Sequence, residues 1–117
     1  MKVLIVDDNR QARQMIKRYL RGMIGEAREC NDGAEALSAY AEFHPDWVLM
    51  DWEMKRVNGL AATHSIIAEY PQAKIIIVSN YDEPALSSAA LKAGAYGFIT
   101  KDNLIALHPL LGVSTTV

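Results

Sequence analysis

Five polar side chains stand directly behind short apolar runs. Asp7 and Asp8 follow Val3-Leu4-Ile5-Val6, and Asp51 follows Trp47-Val48-Leu49-Met50. Ser79 follows Ile75-Ile76-Ile77-Val78, and Lys101 comes just after Tyr96-Gly97-Phe98-Ile99, with Thr100 between. Three carboxylates brought close together repel one another, and a hard cation relieves that repulsion. Mg²⁺ prefers oxygen ligands and binds phosphoryl oxygens as readily as carboxylates. A carboxylate such as Asp51 can attack phosphorus to give an acyl phosphate. Lys101 offers a point positive charge for phosphoryl oxygens, and Ser79 offers a hydroxyl donor. Each residue alone has a plain alternative, such as a helix cap or a solvated charge. Their joint occurrence at the ends of four runs argues for one site.

The elements that must position these residues follow from the pattern. The four runs are apolar without alternation, as in strands buried on both faces. A weaker strand is expected at Ala27 to Cys30, where Arg28 and Glu29 suit a sheet edge. Between the strands lie helical patterns. Ala12, Met15, Ile16, Tyr19 and Leu20 share one helix face. Asn31 or Asp32 can cap a second helix, with Ala34, Leu37 and Ala41 inward. A third runs from about Asn58 to Tyr70, before Pro71. A fourth starts at Asp82-Glu83-Pro84 and closes at Gly94. Leu104 to Leu111 gives a fifth, short or irregular because Pro109 interrupts it and Gly112 ends it. Strand and helix thus alternate, which argues for a parallel sheet with helices on both faces. In such sheets ligands bind beyond the carboxyl ends of the strands. All five polar residues lie there.

Bulk properties fit and exclude alternatives. A chain of 117 residues suits one domain, read here as 1–117. The formal net charge of -2 gives no basic excess for direct nucleic-acid binding. The single cysteine, Cys30, permits no internal disulfide, and a reduced, cytoplasmic setting is expected. No run is long enough to span a membrane. His44, His64 and His108 are scattered, without metal-ligand neighbours.

On these residues the chain resembles a response-regulator receiver domain of two-component signalling. The matching pieces are Val3 to Asp8, Asp51 with Met54 and Gly59, Ile77-Val78-Ser79, and Gly94-Ala95-Tyr96-Gly97-Phe98 leading to Lys101. The resemblance is clear over 1–104 and leaves 105–117 as an irregular tail or short final helix. The Ala-Gly-Ala-Tyr-Gly-Phe stretch is similar to receivers that precede helix-turn-helix output domains. The resemblance implies a flavodoxin-like doubly wound sheet of five parallel strands in the order 2-1-3-4-5. It implies that Asp51 takes a phosphoryl group from a histidine kinase or a histidine phosphotransfer protein. It implies Mg²⁺ bound by Asp8, by Asp7 chiefly through water, by Asp51, and by the backbone carbonyl of Glu53. Lys101 would pair with the phosphoryl group, Ser79 would move to bond it, and Phe98 would turn inward as the switch. Side chains at Glu53 and Tyr81 would tune the phosphoryl lifetime. The partner acted upon would be an output domain or target protein, with transcription the implied output. A homodimer formed on phosphorylation is compatible with it. The chain would be a switch rather than an enzyme, apart from its own phosphorylation and slow dephosphorylation.

Three departures from the family pattern stand out. Lys55 occupies a position that is often proline. Asp102 follows Lys101 where proline is frequent, often behind a cis bond. A non-proline cis bond costs about 2.5–4 kcal/mol, so a trans bond is expected. The final helix is short, which weakens any dimer face built on it. Two other readings compete: a pseudo-receiver that binds partners without phosphorylation, and a small aspartyl-phosphate phosphatase. The second expects an Asp where Glu53 stands.

Overall fold

A computed structural model of the chain describes residues 1–112. Its five strands are β1 (Lys2–Val6), β2 (Glu26–Cys30), β3 (Trp47–Asp51), β4 (Ile75–Ser79) and β5 (Gly97–Thr100). All pairings are parallel, in the order β2-β1-β3-β4-β5. This is the flavodoxin-like topology. β1, β3 and β4 are central, and every residue of β3 and β4 is buried. Their unbroken apolar sequences follow from burial on both faces. β2 is an edge strand, exposed except at Cys30. Its charged side chains pair outward, Arg28 with Glu42 and Glu29 with Arg13 and Lys17.

The helices are α1 (Arg10–Tyr19), α2 (Ala36–Phe43), α3 (Gly59–Glu69), α4 (Pro84–Lys92) and α5 (Leu107–Leu110). Two cores result. On one face α2, α3 and α4 cover Leu4, Val6, Val48, Met50, Ile75 and Ile77. On the other α1 and the final segment cover Val3, Ile5, Leu49, Ile76, Val78 and Ile99. The odd and even positions of each strand thus feed separate layers.

Several helix details differ from the pattern reading. In α1 only Ile16 is buried, with Leu20 just beyond it, while Met15 and Tyr19 are exposed. The α1 face is narrower than the apolar positions suggested, because one sheet flank rather than a full core receives it. The second helix opens with a 3-10 turn at Gly33–Glu35, so its phase shifts. Ala36, Ala39 and Phe43 face the core, Leu37 and Ala41 are half-buried, and Ala34 is exposed. α4 begins with Pro84 as its first residue and ends at Lys92, capped by Ala93, with Gly94 next at φ +103. Tyr96 lies outside β5, mostly exposed, with its ring edge-on to Trp47.

After β5 a 3-10 segment, Lys101–Ala106, leads into α5, with Asn103 breaking the helical backbone. Pro109 is tolerated because it falls within the first turn of a short helix. Leu104, Leu107 and Leu111 are buried against the sheet. The end of the expected tail, 113–117, lies outside the described residues.

Candidate functional site

The carboxyl ends of β1, β3 and β5 converge on an open cleft of about 350 Å³, lined by Asp8, Asn9, Asp51, Glu53, Met54, Lys55, Asn80 and Lys101. Asp7 lies buried beside Lys101, 1% exposed, and Asp51 is 4% exposed. Parallel pairing aligns these strand ends on one rim.

Asp7 is held from several sides. Its N–H donates to the Cys30 carbonyl, and Arg13 Nη1 donates to the Asp7 carbonyl at 2.6 Å. Its Oδ1 accepts from Asn9 N at 2.8 Å. Asn9, not an aspartate of the pair, caps α1 through Ala12 N. Both Asp7 and Asp8 are therefore spared for the cleft. Asp7 Oδ2 is buried and receives no well-directed hydrogen bond, although Lys101 Nζ lies 3.0 Å away. Lys101 Nζ also lies 3.2 Å from Asp51 Oδ1, so one ammonium bridges two carboxylates.

One carboxylate oxygen from each of Asp7, Asp8 and Asp51 lies within 4.8 Å of the others. This donor set is all hard oxygen, and Asp7 Oδ2 lacks an aligned donor. Such a set fits a divalent cation of the Mg²⁺ type. The Glu53 side chain is exposed, on the loop that follows β3.

The electrostatics of the cleft are unbalanced. Burial, then the Asp7 charge, push the Asp51 carboxyl up to about 6, with Lys101 partly opposing them. Burial works against the Lys101 ammonium, but contact with Asp7 and the Asp51 charge outweigh it and raise its pKa. One lysine does not neutralise three carboxylates in a desolvated site. A further cation or proton is favoured there.

Ser79 is fully buried at the end of β4, and its Oγ accepts from Tyr81 N at 3.0 Å. It is paired in register with Thr100, whose hydroxyl bonds Asp102. Tyr81 is half exposed. Phe98 is half-buried against the α2–α4 core and lines a separate hollow with Asp82, Thr100, Asn103 and Leu110. The Lys101–Asp102 peptide is trans. Trp52 packs on the core rather than on the cleft rim.

The structure thus brings Asp7, Asp8, Asp51 and Lys101 into direct proximity. Ser79 stands one strand away with its hydroxyl already engaged. Sequence reasoning missed Asn9 and Asn80, whose signal was only their place one residue beyond the polar ends of β1 and β4. It gave Asp32 a cap and no more.

Comparison with known proteins agrees with this geometry. The response regulator receiver domain profile matches residues 3–109, and the chain belongs to that family. Chemotaxis protein CheY of Thermotoga maritima is 42% identical over 101 residues, covering 86% of this chain and 84% of CheY. Transcriptional regulatory protein DegU of Brevibacillus brevis is 33% identical over 105 residues, covering 87% of this chain. The match spans only 44% of DegU. The response regulator domain of Thermotoga maritima CheB superposes with a TM-score of 0.81 at 31% identity, covering 95% of this chain and 90% of that one. Receivers of this family act as signalling switches and bind Mg²⁺ at an acidic aspartate cluster. Among the described residues no helix is long and apolar enough to cross a membrane.

Proposed function

We propose that residues 1–117 form one receiver domain that accepts a phosphoryl group on Asp51 and transmits the event as a shift between two conformations. The observation that carries this is the Asp7–Asp8–Asp51 cluster with Lys101 Nζ bridging Asp7 and Asp51. An Asp51 oxygen attacks the phosphorus of a phosphohistidine. The new O–P bond forms as the N–P bond breaks, and its electron pair stays with the imidazole. Asp7, Asp8, Asp51 and the Glu53 carbonyl would hold Mg²⁺, which would supply charge neutralisation for the transferring group.

Lys101 is positioned for the same charge from the other side. Its ammonium already sits 3.2 Å from the acceptor, so it need only turn toward the new oxygens. Ser79 then exchanges its bond from Tyr81 N for one donated to a phosphoryl oxygen. Phe98, half-buried on the neighbouring strand, follows into the space left behind. The change is a population shift, and reversing a 99:1 preference takes about 5.5 kcal/mol. Glu53 and Tyr81 tune the lifetime of the acyl phosphate through access of water.

The donor is a histidine kinase or histidine phosphotransfer protein, in a cytoplasmic setting. The response is read by an output domain or target protein, with transcription the output suggested by the likeness to DegU. The intact mass after incubation with acetyl phosphate and Mg²⁺, beside Asp51→Asn and a metal-free control, tests the reading. A single phosphoryl adduct that needs both Asp51 and Mg²⁺ supports it. Absence of an adduct, together with no response to beryllofluoride, overturns it in favour of an interaction module.

A further inference from the structure

Asp32 does more than a helix cap requires. A cap needs one oxygen to accept from the first turn, and Asp32 Oδ1 does so from Ala34 N at 2.8 Å. Serine or asparagine would serve equally. Yet the same carboxylate also accepts from Arg56 N at 3.0 Å and Val57 N at 3.3 Å. These donors lie on irregular backbone between β3 and α3, 24 and 25 positions along the chain. The Asp32 residue is only 5% exposed. Arg56 Nε, 3.9 Å away on a mostly exposed side chain, adds little.

The backbone is in contact as well. A Cβ at Gly33 would stand 2.4 Å from the Val57 carbonyl oxygen, so the two loops touch directly. At its other end the β3–α3 loop is tied by Trp52 N to Val78 O and by Gly59 N to Trp52 O. Glu53, Met54 and Lys55, which line the cleft, are therefore slung between two anchors, and Asp32 is one of them.

We propose that Asp32 is a positioning residue for the acceptor site, its buried carboxylate holding the β3–α3 loop in the shape that presents the Glu53 carbonyl and Lys55 to Asp51. The inference rests on the phosphoacceptor reading for its consequence, but not for the clamp itself. Bonds from Ala34 and Arg56 hold the Asp32 carboxyl below the usual range, so the clamp stays anionic at neutral pH. Groups that orient metal ligands from behind commonly change metal affinity by about tenfold or more when lost.

Asp32→Ser separates the clamp from the cap. Serine can still cap Ala34 but is too short to reach Arg56 and Val57. Two readouts apply to the full chain: amide exchange in the absence of metal, and Mg²⁺ affinity from site resonances during titration. In Asp32→Ser the Arg56 and Val57 amides should exchange faster than in the wild type, while the second helix stays protected. The Mg²⁺ dissociation constant should rise by about tenfold. Phosphorylation should fall at limiting Mg²⁺ and recover largely at saturating Mg²⁺. Should the serine variant not fold, Asp32→Asn replaces it. Asparagine keeps the Oδ1 partners, loses the Arg56 bond, and should give an intermediate affinity. Wild-type amide exchange and Mg²⁺ affinity in a folded variant would overturn the proposal. If the wild type itself binds no Mg²⁺, the phosphoacceptor reading fails instead, and amide exchange alone still decides the clamp.

Discussion

Replacing Asp51 by asparagine should make the metal-free protein more stable. Asp51 is buried beside Asp7, and its carboxyl is raised to about 6 from a reference of 3.8. A raised carboxyl value means that the fold disfavours the charged form. Each pKa unit is worth about 1.4 kcal/mol, so keeping Asp51 ionised above neutral pH costs up to about 3 kcal/mol. That value already includes the opposing effect of Lys101, and solvent in the open cleft screens part of the repulsion, so about 1–3 kcal/mol is expected. The penalty is complete above about pH 7 and disappears as the pH falls through 6 toward 3.8. Asparagine keeps the shape and carries no charge. Urea unfolding in EDTA, from pH 5 to 8, measures the difference between the two proteins. The stability gain of Asp51→Asn should be largest at pH 8 and shrink toward pH 5. Mg²⁺ at ten times its dissociation constant should stabilise the wild type by about 1.4 kcal/mol and narrow the gap. No gain at pH 8, or a gain that grows as the pH falls, would refute the account of a cleft with surplus negative charge.

Lys101→Met should leave Asp7 and Asp51 facing each other without their bridge. Phosphorylation from acetyl phosphate should slow by about a hundredfold, because a preorganised charge is lost; stopped-time mass measurement reads this directly. Gly59→Ala should cost about 3 kcal/mol or more in chemical unfolding, since a Cβ there would stand 2.0 Å from the Asp51 carbonyl oxygen. The same variant should lower the Mg²⁺ affinity by displacing the β3–α3 loop. Leu107→Ala should cost about 2–4 kcal/mol, because Leu107 is fully buried and anchors the short final helix. Phosphorylation of the folded fraction of Leu107→Ala should remain near wild type, as Leu107 packs in the core with Val3, Ile5 and Ile99 and does not line the cleft.

The strands were legible because burial on both faces leaves an unbroken apolar run, and no other element writes that signature in so few residues. Helix starts were legible where a residue has a single local job, as Asn58 does in bonding Ala61 N. Helix phase was not. The 3-10 turn at Gly33–Glu35 rotates α2, and the pattern of alanines alone cannot register a turn of different pitch. The thin burial of α1 also escaped the pattern, since exposure of Met15 and Tyr19 depends on what neighbours cover.

The polar residues at the strand ends were identifiable as a set by their positions alone, because a parallel sheet brings all carboxyl ends to one rim. Distances and charge balance were not. That Lys101 bridges Asp7 and Asp51, and that Asp7 Oδ2 is left without an aligned donor, follows from side-chain placement across three strands. Asn9 and Asn80 line the cleft beside Asp8 and Asp51. Asp32 shows the boundary most clearly. Its cap is a local event and was written in the Asp32-Gly33 pair. Its hold on Arg56 and Val57 joins loops far apart in the chain, which only the packing of α2 against α3 brings together. Local chemistry thus determined the elements and the kinds of residue at the rim. Tertiary packing decided which of them touch, because hydrogen bonds and charges act over a few ångströms in space irrespective of distance along the chain.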